Sequence, residues 1–250
     1  MPSIPPELLG SVFSIILINL TLSGDNAVVI GMAAHRLPAR QRKMAVIIGS
    51  VGAIVLRLIL TAVAALLLQI PYLKVAGGLL LAWIAFTLLK EEEEEAEGVG
   101  GAGSFREAIR TIIVADFIMS VDNILGVAAA SRGNMTLLIF GLIVSMIVVM
   151  AAGSAVAAMI DKFWWLVYVG SGVIAWIAIE MILTDHVAGP FLNAMGIVAE
   201  QPDELTGLTA AEPTAAGLTI MAVGTIVILS VAHYFHRHRP AKLRSAEESV

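Results

Sequence analysis

The spacing of the apolar stretches constrains this chain more than any other feature. Seven blocks, roughly 8–33, 44–68, 72–89, 108–130, 135–160, 163–184 and 216–236, run with few charges. Each is about 18–25 residues long, which lets an α-helix rising 1.5 Å per residue cross a hydrocarbon core of about 30 Å. Inside that core the backbone must satisfy its own hydrogen bonds, and a helix does so within one segment. The expected fold is an all-α integral membrane protein with seven transmembrane helices. Composition supports this: 58% of residues are hydrophobic and 14% charged, against about 45–50% and about 25% in soluble domains. Met1 to Gly10 carries no positive charge, so the first block does not read as a secretory leader.

Several function classes are excluded at once. There are no cysteines, hence no disulfide, thiolate metal site or cysteine nucleophile. The net charge is −5 and no basic face accumulates outside short stretches at helix ends, which argues against a nucleic-acid partner. No G-x-x-x-x-G-K-[ST] loop occurs, so any transport must run on a gradient rather than on ATP.

The whole of 1–250 reads as one transmembrane domain. A first helical unit spans about 8–89 and is followed by a Glu- and Gly-rich stretch, about 90–107, expected to be a flexible cytosolic loop. A second unit covers about 108–184. An outside loop of about 185–215, with Pro190, Pro202 and Pro213, is expected to hold at most a short surface helix; helix 7 (about 216–236) and a cytosolic tail (237–250) complete the chain. With seven spans, twelve of the fifteen Lys and Arg fall on one side, Lys74 and Arg132 on the other, and Arg57 within span 2. The positive-inside rule then places the protein in the cell (cytoplasmic) membrane with its N-terminus outside and its C-terminus in the cytosol.

An internal repeat carries the most information. Ser23-Gly24-Asp25-Asn26 aligns with Ser120-Val121-Asp122-Asn123, with Asn19 opposite Asp116; further on, Ala82-Trp83-Ile84-Ala85 matches Ala175-Trp176-Ile177-Ala178, with Gly77 opposite Gly170. Spans 1–3 therefore resemble spans 4–6. Three is an odd number, so the second unit enters the membrane from the opposite side. Inverted repeats of this kind are typical of secondary transporters, with the site near the midplane where the repeats meet.

Asp25 and Asp122 fall well inside spans 1 and 4. A carboxylate at the bilayer centre costs at least about 2.5–3.5 kcal/mol, so two of them, each followed by an Asn, call for compensation. A shared divalent cation neutralises both, with Asn26, Asn123 and the Ser23 and Ser120 hydroxyls as neutral oxygen donors. Oxygen-only sites suit hard cations such as Mn²⁺, Mg²⁺ or Ca²⁺. The plainer alternatives are interhelical hydrogen bonding or a proton relay.

These residues resemble a known family. The paired Ser-x-Asp-Asn motifs, within seven spans of repeated triplets, are similar to the TerC family, which is named for tellurium resistance and sits in the wider LysE-type transporter superfamily. The resemblance covers about Gly10 to His236. It implies Mn²⁺ export or manganese homeostasis, with Asp25 and Asp122, partnered by Asn26 and Asn123, as metal ligands. The Glu91–Glu95 run and the 186–214 stretch do not map onto the family pattern.

Three further intramembrane charges need a role. Asp116, about two turns before Asp122 and nearer the cytosol, is a candidate fifth metal ligand or an entry step. Glu180, late in span 6, is a candidate exit ligand or proton acceptor. Arg57 is expected to pair with Asp25, Asp116 or Glu180 when no metal is bound, or else to serve as a purely structural bridge. No tightly bound cofactor is expected; the partners are the bilayer and a divalent cation substrate, with homo-oligomerisation left open. Two other readings are weighed: a membrane assembly or metallation adaptor without transport, and an intramembrane aspartyl protease. The protease reading is weak, because such enzymes carry Tyr-Asp and Gly-x-Gly-Asp contexts and need a shared-proton dyad. The chain is expected not to be an enzyme.

Overall fold

Because lipid offers no hydrogen bonds, apolar blocks of this length settle as helices that pack on one another. The structure, a computed structural model, describes residues 24–63, 67, 70–96, 103–130, 135–185, 187–202 and 209–237, without the side chains at 62, 91–96, 122–130, 135, 137–138, 201–202, 209–210 and 235–237. The helices are α1 (Gly24–Ala34), α2 (Ala39–Ala62), α3 (Leu73–Ala96), α4 (Phe105–Ala130), α5 (Met135–Ile160), α6 (Leu166–Leu183), the short α7 (Gly189–Ala194) and α8 (Ala215–Arg237). Strands β1 (Val198–Pro202) and β2 (Thr209–Pro213) lie between α7 and α8. Among the described residues five helices, α2, α3, α5, α6 and α8, are long and apolar enough to cross a membrane.

The packing follows a simple scheme. α3 lies along α6, α2 along α4 and α1 along α5, while α8 leans on both α3 and α6. α1 also meets α4, and α2 meets α5. One apolar core, with Met32, Leu81, Ala85, Ile118, Ile174 and Ala178, joins α1, α3, α4 and α6. A second, with Ala27, Ile30, Val46, Ala53, Ile112 and Val149, joins α1, α2, α4 and α5.

Small residues let these helices approach closely, as lipid-embedded helices require. A Cβ on Gly78 of α3 would collide with the carbonyl oxygen of Ala178 and with Ile182 on α6. Gly78→Leu should therefore lower the thermal stability of the purified protein, by about 1–3 kcal/mol for overpacking. An unchanged melting temperature would show that the two helices are free to separate.

α2 shows how helical period sorts its residues. Ile47, Val51, Val55 and Ile59 form an exposed stripe suited to lipid. Val46, Ser50, Ala53, Arg57 and Leu60 form the buried stripe on the other side. At the arginine-rich end, the Arg42 guanidinium forks onto the carboxylate of Asp161 at the end of α5 and also donates to the carbonyl of His35. This tie is partly open to solvent, and such pairs contribute at most about 1 kcal/mol.

Two expectations are corrected. The acidic stretch is not wholly loop: α3 runs on through Glu91–Glu95 to Ala96, and α4 begins at Phe105. Glutamate is a good helix former, and extending an existing helix is cheap beside starting one. The outside loop holds the expected short helix, but β1 and β2 also pair antiparallel there, with Val198 opposite Pro213 and Pro202 opposite Thr209. A purely helical reading therefore needs this ribbon added. Thr214 closes its base, its hydroxyl donating to the carbonyls of Gly196 and Ile197. Val198 is buried with Leu183 and Met221, so the ribbon seats on the ends of α6 and α8.

Candidate functional site

A buried polar cluster joins α1, α2 and α4, and it grows from the helical period of each. On α4, Asp116 and Ser120 are four residues apart and share a face. Ile112, one turn earlier, anchors that face in the second core. On α2, Arg57 sits on the buried stripe one turn beyond Ala53, which belongs to the same core. On α1, Asn26 precedes Ala27 of that core. The four side chains are 1–5% exposed.

Their hydrogen bonds converge on the Asp116 carboxylate. Oδ1 accepts from Asn26 Nδ2 at 2.8 Å and from Arg57 Nη2 at 2.9 Å. Oδ2 accepts from the Ser120 hydroxyl at 3.2 Å, and Ser120 Oγ in turn accepts from Arg57 Nε at 2.9 Å. Arg57 thus grips Asp116 directly and through Ser120. In a low-dielectric interior such a pair holds only when the remaining donors and acceptors are also met, and three donors on one carboxylate go far towards that.

One group in the cluster is not met. Among the described residues, Asn26 Oδ1 is buried without a hydrogen-bond partner. An unpaired buried carbonyl costs about 1–3 kcal/mol, so it is an acceptor waiting for a donor or a cation. Next to it, Asp25 is half-buried, and its Oδ1 accepts the Asn26 backbone N–H at 2.9 Å.

The other residues singled out by the sequence are distributed as follows. Asp122 and Asn123 lie on α4 past Asp116, about 9 Å or more along the axis at 1.5 Å per residue, but their side chains lie outside the described residues. Asn19 and Ser23 lie outside them altogether. Glu180, half-buried near the end of α6, is not among the groups that hold Asp116. Among the described residues, no three His, Asp or Glu side chains gather as a ready metal cage.

One buried carboxylate escaped the sequence reading. Asp185, directly after α6, is fully buried and accepts the backbone N–H of Val187 at 2.9 Å and that of Ala188, which shapes the turn into α7. An Asp between an apolar block and a Gly-Pro pair was the available signal.

Comparison with known proteins adds an independent line. The profile described as "Integral membrane protein TerC family" matches residues 4–239. The chain is 40% identical to "Uncharacterized membrane protein YjbE" of Bacillus subtilis (strain 168) over 192 residues, covering 77% of this chain and 88% of that one. It is 32% identical to "Uncharacterized membrane protein YceF" of the same organism over 162 residues, 61% of this chain and 63% of the other. No solved structure matches.

Proposed function

This chain belongs to the TerC family of integral membrane proteins, and from that premise we propose that it is a secondary transporter exporting a divalent cation, Mn²⁺ before others, through a midplane site between two inverted three-helix repeats. It is a multi-pass membrane protein. In the proposed arrangement seven helices cross the cytoplasmic membrane, the N-terminus lies outside and the C-terminus in the cytosol. Transport involves no chemical step and no resident cofactor, and the protein can work as a homo-oligomer.

The observation that carries this reading is the meeting of α1 and α4 at a buried carboxylate. Asn26, from the first Asp-Asn pair, donates to Asp116 on the helix that bears the second pair, and its own carbonyl oxygen has no partner among the described residues. A hard cation takes such oxygens together with carboxylates. In this scheme Arg57 substitutes for the metal: it neutralises Asp116 between transport events, and an arriving cation competes with it.

The packing supports the repeated layout. Exchanging α1 with α4, α2 with α5 and α3 with α6 turns the α2–α4 pairing into the α5–α1 pairing. The same exchange leaves the α3–α6 pairing in place and α8 astride both. A pseudo-twofold relation between the two units produces this invariance, and in the proposed inverted layout its axis lies in the membrane plane.

The test is uptake into proteoliposomes of purified protein, offered Mn²⁺, Ca²⁺, Mg²⁺ and Zn²⁺ separately under ion and proton gradients. Saturable Mn²⁺ movement above empty vesicles is expected. If no cation moves under any gradient, transport is excluded.

A further inference from the structure

A second feature, separate from the polar cluster, lies where α1, α3 and the start of α4 enclose a cavity of about 520 Å³. Its wall changes character along its depth. At the mouth stand Arg36, just past the end of α1, with Arg106 and Arg110, one turn apart on the same face of α4. Glu107 is also at the mouth, so the described charged side chains that line the cavity are three cations and one anion. Further in, the lining is Leu80, Trp83 and Ile84 of α3. The polar and apolar ends are about 10 Å apart along α3, from Thr87 to Leu80.

Among the described residues, none closes the apolar end. Trp83 is 64% exposed and Leu80 44%, and on a membrane-spanning helix that exposure is to acyl chains. The cavity therefore opens to water beside the arginines and sideways into the bilayer beside Trp83. Each simpler ligand fails on one half of it. A metal cation is repelled by the arginines, a soluble anion leaves the apolar depth unfilled, and a neutral acyl chain has no use for the charges. A molecule anionic at one end and aliphatic at the other satisfies both halves.

We propose that this cavity binds an anionic phospholipid. Arg106 and Arg110 hold the phosphate, helped by the partial positive charge at the N-terminus of α4. An acyl chain runs down past Thr87 to Leu80 and Trp83. Basic pockets between helices at a membrane surface recognise anionic headgroups in this way. The ligand ties the loop end of α4 to α3, on the side where these two helices flank the long acidic connection.

The proposal can be tested on the full-length protein in detergent by native mass spectrometry, titrating dioleoylphosphatidylglycerol against dioleoylphosphatidylcholine. The wild type should retain one phosphatidylglycerol in clear preference to phosphatidylcholine. Replacing both arginines (Arg106→Gln with Arg110→Gln) should weaken that binding about 30-fold, since each surface cation contributes about a factor of five. Both side chains are exposed, so the fold should survive. Thr87→Trp, which narrows the cavity between its charged and apolar ends and keeps every charge, should weaken it as well and decides the matter alone if the double variant does not purify folded. Equal binding of the two lipids overturns the proposal, as do variants that keep wild-type affinity. Displacement of the lipid by millimolar inorganic phosphate also overturns it, by showing a soluble-anion site. None of these outcomes bears on cation transport.

Discussion

Arg57→Met should lower the stability of the purified protein by about 3–5 kcal/mol, the cost of leaving one member of a buried ion pair without the other. Methionine fills most of the same space, so packing changes little. The loss comes from Asp116, which keeps its bonds from Asn26 and Ser120 but has no cation beside it. Adding Asp116→Leu removes the stranded charge and should recover most of the loss, because replacing both partners of a buried pair by apolar residues is often neutral or stabilising. Thermal unfolding of the two variants side by side checks this. If Arg57→Met melts with the wild type, the pair at 2.9 Å contributes nothing. The double variant should nonetheless fail to move Mn²⁺, since it has lost a carboxylate of the proposed path; full transport by it would remove Asp116 and Arg57 from the mechanism.

Asp25→Asn should reduce Mn²⁺ transport on the order of 100-fold or more, while the protein stays folded. Altering a group that merely supports a metal ligand typically costs 10–100-fold, and a charged ligand itself contributes more. The side-chain oxygen of asparagine can still accept the Asn26 N–H that Asp25 Oδ1 accepts at 2.9 Å, so the local backbone keeps its bond. Only the charge is lost. Separating transport from stability is what makes this variant informative: a folded Asp25→Asn protein that carries Mn²⁺ at the wild-type rate would remove this aspartate from the ion's route.

Much of the helical frame was legible in the amino-acid order, because membrane thickness leaves a plain signature in block length. The block read at 135–160 coincides with Met135–Ile160, and that at 216–236 lies within a residue of Ala215–Arg237. The β ribbon was not legible. Its strands, Val-Ala-Glu-Gln-Pro and Thr-Ala-Ala-Glu-Pro, have little β-branched or aromatic content, and they pair because a seat on α6 and α8 is available. The pairing of Arg57 with Asp116 was legible only as one of three options. Ser50 and Arg57 mark one face of α2 as the more polar, but the pattern does not say which helix covers that face. Only the neighbours settle that, with α4 on one side and lipid on the other. Asp185 was overlooked because an acidic residue at a block end reads by default as solvated.

The bond between Arg57 and Asp116 joins residues 59 positions apart, and this bears on how the protein is made. When α2 emerges from the ribosome and enters the bilayer, its guanidinium lacks the Asp116 carboxylate, because α4 has yet to be synthesised. An arginine near the middle of a span opposes insertion by about 2.5–3.5 kcal/mol. The rest of α2, with a mean hydropathy of 2.3 across its candidate span, is apolar enough to carry that burden. The nascent chain thus commits a charge to the membrane before the carboxylate it bonds to exists. A ribosome stalled between the two helices would hold α2 in its least stable condition.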